Sequence, residues 1–182
     1  IIYDLEQRGM RVVPSFACLK AHNNKVAMEL LRTRINFPSI ETIKTMVFGT
    51  LEEILAVKSE IDFPVVIKPA WGAMSKGVAL VKNENELTRH VNKISKSHSF
   101  KHDLKEVLRK VKYRRNYIKE SFNRNKFVIQ NLIPNLCNDW KVLVYGNYAF
   151  ALYRHVRDND FRASGSGKFF LKKVLPQGML DY

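Results

Sequence analysis

Residues 63–81 read FPVVIKPAWGAMSKGVALV, and no other stretch restricts the possible folds of this chain so tightly. Two apolar runs, 65–68 and 78–81, flank a loop of small residues. Both are too short for helices, and β-branched runs bounded by glycine and proline read as buried strands. The first run nevertheless ends on Lys68. An ammonium group withdrawn from water needs an anion beside it, unless its stem carries it back to solvent. The loop favours an anion. Gly72, Ala73, Ser75, Lys76 and Gly77 let backbone N–H groups come close to a ligand, and such amides with a lysine at their mouth form a phosphate site. The pattern G-x-x-x-x-G-K-[ST] is absent, and no helix opens directly after the loop, which excludes a Walker A site. In protein kinases the glycine loop precedes the strand lysine, whereas here it follows. The run HVRDNDFRAS (155–164) holds HRD-like and DFG-like letters, but in kinases those elements lie well apart.

Elsewhere the pattern alternates between the two periods. Asn24 is expected to cap a helix from Lys25, with Ala27, Leu30, Leu31 and Ile35 as its apolar stripe and Pro38 beyond its end. A short strand is expected at 42–48. Thr50 and Glu53 form a capping box that opens a helix to about 61. Asn83 and Glu86 repeat that pattern before a helix at 87–96. Phe127 to Leu132 reads as a strand ended by Pro134. Residues 140–145 and 148–156 read as a hairpin across Gly146-Asn147, with a polar loop at 157–168 and another strand at 169–174. The summary is an α+β chain of two lobes, the first to residue 126 and the second from 127 to 182.

The 182 residues carry a net charge of +14. Residues 101–126 hold ten Lys/Arg against Asp103, Glu106 and Glu120, so this stretch contributes +7 of that excess. Leu104, Val107, Leu108 and Val111 recur at helical spacing within it, which predicts an amphipathic helix with its basic face in solvent. Tyr113 and Tyr117 could stack on bases or sugars there, so contact with a polyanion is a second reading of function. Cys18 and Cys137 fit no metal or disulfide spacing and are expected as buried thiols in a reducing cytoplasm. No membrane partner is expected, because no apolar run is long enough to span one. The opening residues are not a signal peptide's apolar core. They lack a starting methionine, which suggests a fragment cut at both ends, with residues 1–20 the tail of a preceding domain.

The order of motifs resembles the ATP-grasp superfamily over about residues 10–176. The opening stretch looks like its strand–lysine–small-loop–strand unit. HNNKVAMELLRTRINFPSIET resembles its entry helix, and FVIQNLIPNLCNDWKVLVYGNYAFALYRHVRDNDFRASGSG its adenine-binding strand and phosphate-clamping hairpin. The F-R-small-small loop is most similar to the ribosomal-S6-modification and glutathione-synthase-like carboxylate–amine ligases. The resemblance implies a nucleotide cleft between two lobes built on antiparallel sheets, with the basic stretch 98–126 an insertion in the first.

It also implies roles. Lys25 and Lys68 would clamp ATP phosphates, with Gly72, Ala73, Ser75, Lys76 and Gly77 closing over them. Gln130, Asn131, Leu132 and Ile133 would form the hinge that reads adenine, with Asn131 where a glutamate is usual. Asp139 would lie near the ribose or the substrate-facing side of the nucleotide, and Ser164 would lie on the polar loop beside Arg154. Arg154 and Arg162 would stabilise the transferring group. The implied activity is an ATP-dependent ligase working through an acyl phosphate, with ATP and Mg²⁺ as cofactors. The family's metal ligands are an aspartate and a Glu-x-Asn on later strands. After Arg162 the only acid here is Asp181, so no metal ligand is assigned within the chain and the ligands are expected beyond residue 182. Residues 1–182 alone are therefore expected to bind nucleotide weakly and not to turn over.

Overall fold

The computed structural model describes residues 1–34, 43–73, 75–157, 160–162, 166–172, 174–176 and 178–179. Ile35, Pro38, Thr42 and Ser164, on which expectations fell, lie outside them. The chain divides into two units. The first holds the described residues up to Gly72 and from Gly77 to Leu132; the second holds Ala73, Ser75, Lys76 and those from Ile133 onward.

The first unit opens with two short helices, α1 (Ile2–Gln7) and α2 (Phe16–His22), followed by α3 (Lys25–Arg34). The Ala27 N–H donates to the Asn24 side chain at 3.1 Å, which is the expected cap. A four-stranded antiparallel sheet follows, from β1 (Thr45–Phe48), β2 (Val65–Pro69), β3 (Ala79–Val81) and β4 (Phe127–Asn131), in the order β1-β4-β2-β3. Helices α4 (Leu51–Val57) and α5 (Glu84–Ser95) lie between these strands in the chain. Both start as their sequences dictate. Thr50 and Glu53 make the reciprocal capping box, and the Asn83 side chain accepts from the Glu86 N–H at 3.0 Å. β4, which the reading by residue order puts after the lobe boundary at 126, is hydrogen-bonded between β1 and β2.

Strand alternation gives this sheet two different faces. Val65 and Ile67 on β2, and Phe127 and Ile129 on β4, join Ile54, Ile61, Leu87 and Val91 in the main core, all with 6% exposure or less. The opposite face carries Val128, which packs with Val26 of α3 and with Ala70. Lys68 and Gln130 fall on that second face by the same period. The register sets Lys68 opposite Val128 and Gln130 opposite Val66, so the two polar residues sit diagonally across the strand pair.

α6 (Phe100–Tyr113) forms where an amphipathic helix was expected, but with the opposite polarity. Leu104, Val107, Leu108 and Val111 are all exposed, whereas Glu106 has no exposed surface. The returning segment explains the inversion. The Glu106 carboxylate accepts from the Tyr117 hydroxyl at 2.5 Å, from the Glu120 N–H at 3.2 Å and from Arg109 at 2.7 Å. Arg124 pairs with Asp103 at 3.0 Å on the same side of the helix. Donors that must be satisfied outweigh a thin apolar stripe.

Glu106 is shielded by its own partners rather than by depth. The Tyr117 hydrogen bond, more than any other contact, lowers its pKa to about 2. Its contribution to stability is therefore complete above the ordinary carboxylate range near pH 4.5 and is lost as pH falls toward 2. Wild-type chain should lose protection from amide exchange in residues 100–124 across that window. Glu106→Gln should show weaker protection at neutral pH and a flatter acid dependence. Identical profiles for the two proteins would contradict this role.

The second unit is built on a three-stranded antiparallel sheet, β5 (Asn138–Tyr145), β6 (Tyr148–His155) and β7 (Phe169–Leu171), in that order. β5 and β6 turn at Gly146-Asn147, where Gly146 takes a φ of +59° that suits a two-residue hairpin. Trp140 and Tyr153 stand directly opposite and pack edge to face at 5.0 Å. The two cysteines are exposed, not buried as expected. Cys18 lies on the short helix α2, and Cys137 stands just before β5, where its thiol donates to the Asn135 carbonyl at 3.3 Å.

Candidate functional site

The second face of the first sheet gathers polar groups around Lys68. Lys68 donates to the Gln130 side-chain oxygen in a short hydrogen bond. The Gln130 amide nitrogen donates to Glu29 at 3.0 Å and to the Thr45 hydroxyl at 3.0 Å. Lys25, at the start of α3, donates from its side chain to the Gly72 carbonyl at 2.7 Å, and its backbone N–H donates to the Ala70 carbonyl at 2.8 Å. The start of α3 is thereby tied to the chain leaving β2.

Burial pushes the Lys25 ammonium below its ordinary pKa. Lys68 is also lowered, by burial first and then by the charge of Lys25, against the opposing pull of Glu29. The two lysines are therefore close enough to repel, as a pair of phosphate-binding cations must be. Each ammonium keeps N–H groups beyond the bond described, and an anion placed between them would relieve both repulsion and desolvation.

Gly72 and Gly77 have φ values of +114° and +73°, and Ser75 has a φ of +60°. At Gly77 a β-carbon would come within 3.0 Å of Pro69, so both space and backbone angle demand glycine there. The Lys76 N–H closes a turn on the Ala73 carbonyl at 3.2 Å. In the hinge segment Asn131 ends β4, opposite Val65, and its N–H donates to the Lys44 carbonyl at 3.2 Å. Leu132 and Ile133 follow it out of the sheet.

In the second unit, Asp139 and Arg154 face each other across β5 and β6 and form a two-pronged ion pair with both contacts at 2.6 Å. Two residues assigned separate roles by sequence thus satisfy one another. Arg162 is likewise held by the Asp160 carboxylate, at 2.5 to 2.9 Å. Sequence reasoning missed Glu29 and Thr45. Glu29 follows Lys25 by four residues, so it lies on the same face of α3, and that spacing was a usable signal. Among the described residues, no cluster of three or more His, Cys, Asp or Glu is placed to hold a metal ion. Nor does any described helix have the length and apolarity to cross a membrane.

The antiparallel sheet thus carries Lys68 on the face that α3 covers, with Lys25 at the start of that helix bonded to Gly72. The family model "Carbamoyl-phosphate synthase L chain, ATP binding domain" matches residues 8–116. The chain belongs to this family of ATP-binding domains, and so to the ATP-grasp superfamily. It is similar to the formate-dependent phosphoribosylglycinamide formyltransferase of Trichormus variabilis, with 33% identity over 92 residues, covering 50% of this chain and 23% of that protein. The enzyme of the same name from Marinobacter nauticus is 33% identical over 86 residues, covering 47% of this chain and 21% of the relative. The aligned part is thus under a quarter of each relative's length. Among solved structures, the D-alanine–D-alanine ligase of Helicobacter pylori superposes with a TM-score of 0.46 at 16% identity, covering 75% of this chain and 35% of that one.

Proposed function

We propose that this chain is the nucleotide-binding core of an ATP-dependent ligase that joins a carboxylate to an amine or a similar nucleophile. What supports the reading is the nearness of Lys25, at the start of α3, to Lys68 on the sheet face that α3 covers, in a chain of the ATP-binding family. The substrate carboxylate would attack the γ-phosphorus of ATP, expelling ADP and forming an acyl phosphate. The amine would then attack the acyl carbon, and phosphate would leave as the amide forms. Lys25 and Lys68 hold phosphate oxygens, and amides of the 72–77 turn add neutral donors. Gln130, Asn131, Leu132 and Ile133 serve adenine, and Asp139 the ribose. Arg154 and Arg162 carry charge on the transferring group, each kept rigid by its carboxylate partner. Mg²⁺ would neutralise phosphate charge, and residues 1–182 alone would bind nucleotide weakly and not turn over. The reaction would take place in the cytoplasm. Thermal stabilisation of the wild-type chain by millimolar ATP, but not by adenosine, tests the reading. No shift with ATP would refute it.

A contact with polyanions is supported by a separate observation. Lys101, Lys105, Lys112, Arg114 and Arg115 all present exposed side chains on and just after α6. If they form a binding surface, heparin affinity should fall steeply with salt, and neutralising Arg114 and Arg115 should flatten the salt slope by about two charges. An unchanged slope would remove this second reading.

A further inference from the structure

We propose that Glu29 is a positioning residue for the phosphate site: it locks the Gln130 amide, and the locked amide together with the Glu29 charge aims the Lys68 ammonium and keeps it protonated. The inference rests on the nucleotide reading and adds a residue to it.

Glu29 is one of three buried polar or charged residues among those described. Ser95 is satisfied by the Val91 carbonyl at 2.6 Å, and Glu106 by its own network. Glu29 instead holds Gln130, the residue that Lys68 bonds. One of its oxygens accepts from Arg32 at 2.8 Å and the other from the Gln130 amide at 3.0 Å. The second Gln130 N–H goes to the Thr45 oxygen at 3.0 Å, and the Thr45 hydroxyl donates onward to the Ile43 carbonyl at 3.1 Å. Both amide donors are therefore committed. Turning the amide over would set its oxygen against the Glu29 carboxylate, so that oxygen must face Lys68. Lys68 spends one N–H on it, and two remain for an anion.

The charged groups that face Lys68 are few. Lys25 and Glu29 both come from α3, with Arg32 behind Glu29 as its ion-pair partner, and β4 offers only the neutral Gln130. Burial and Lys25 favour the neutral amine, and among the described residues Glu29 alone opposes them. Without Glu29, a lysine that must meet phosphates as a cation would hold its proton less firmly.

The test reads Lys68 directly in the ligand-free chain, by NMR titration of ¹³Cε-labelled lysine. Glu29→Gln keeps an acceptor for the Gln130 amide but removes the charge, so the Lys68 midpoint should fall by about one unit. Arg32→Gln removes the cation that offsets Glu29, so the midpoint should rise. Opposite signs from neighbouring substitutions are not what a merely structural role produces. In parallel, inorganic tripolyphosphate should bind the Glu29→Gln chain with roughly tenfold greater loss at pH 9 than at pH 7. A Lys68 midpoint unmoved by Glu29→Gln, or moved in the same direction by both substitutions, overturns the proposal. Should Glu29→Gln not fold, Arg32→Gln decides alone: a raised midpoint supports the proposal, and an unchanged or lowered one overturns it. A wild-type chain that ignores tripolyphosphate overturns the nucleotide reading itself, while the ligand-free titration still judges the coupling of Glu29 to Lys68.

Discussion

Lys68→Met should weaken ATP binding about a hundredfold and remove most of its thermal stabilisation. The methionine keeps the apolar stem against the sheet but deletes the ammonium that Gln130 orients. Two charge-assisted hydrogen bonds to phosphate, at about 1.5 kcal/mol each, give a loss of about 3 kcal/mol. At a ligand concentration that is a hundred times the wild-type Kd, binding stabilises the native state by about 2.7 kcal/mol. After a hundredfold loss of affinity the same concentration gives only about 0.4 kcal/mol. Lys25→Met should cost less, because the Lys25 contact with Gly72 is exposed to solvent. Thermal shift and isothermal titration on the same proteins measure both effects. Equal affinities for wild type and Lys68→Met would remove Lys68 from the site.

Phe127→Ala should destabilise the first unit by about 3–5 kcal/mol, the range for emptying a large aromatic site in a core. Phe127 has no exposed surface. It lies on an inner strand of the sheet, in register with Phe48 on one side and Pro69 on the other. Its ring stacks on Phe48 at 5.6 Å. A domain of this size is stable by only about 5–15 kcal/mol, so the substitution should bring the chain close to unfolding at ambient temperature. The lowered midpoint should appear in urea denaturation followed by circular dichroism. A shift worth less than about 1 kcal/mol would mean that β4 is not the packed centre of the sheet. Since Gln130 is on the same strand, partial rescue of Phe127→Ala by ATP would tie the core to the site through linkage.

The elements legible in advance were those set by chemistry within a few residues. The strand–turn–strand unit at 65–81, the caps at Asn24, Thr50 and Asn83, and the Gly146-Asn147 hairpin all form as their side chains require. α6 forms as well, because helical spacing is local information. Its orientation was not legible. Which face is buried depended on Tyr117 and Glu120, residues that come back to Glu106 only after the chain turns. The pairing of Asp139 with Arg154 follows from the same hairpin, because a two-residue turn at 146–147 sets 139 opposite 154, although the two residues were read separately.

The sequence by itself determined the class of fold, where the capped helices α3, α4 and α5 begin, and that lysines stand at positions 25 and 68, whereas the short helices α1 and α2 carried no signal that was read. Propensity, capping and period act between near neighbours, and a reader of the chain has access to all of them. Only the tertiary structure decided that β4 inserts between β1 and β2, and this insertion brings Gln130 to Lys68 and Glu29 to both. Such contacts join residues 62 and 101 positions apart. They form because burying the sheet's apolar face fixes the register, and the register then dictates which polar side chains share the other face.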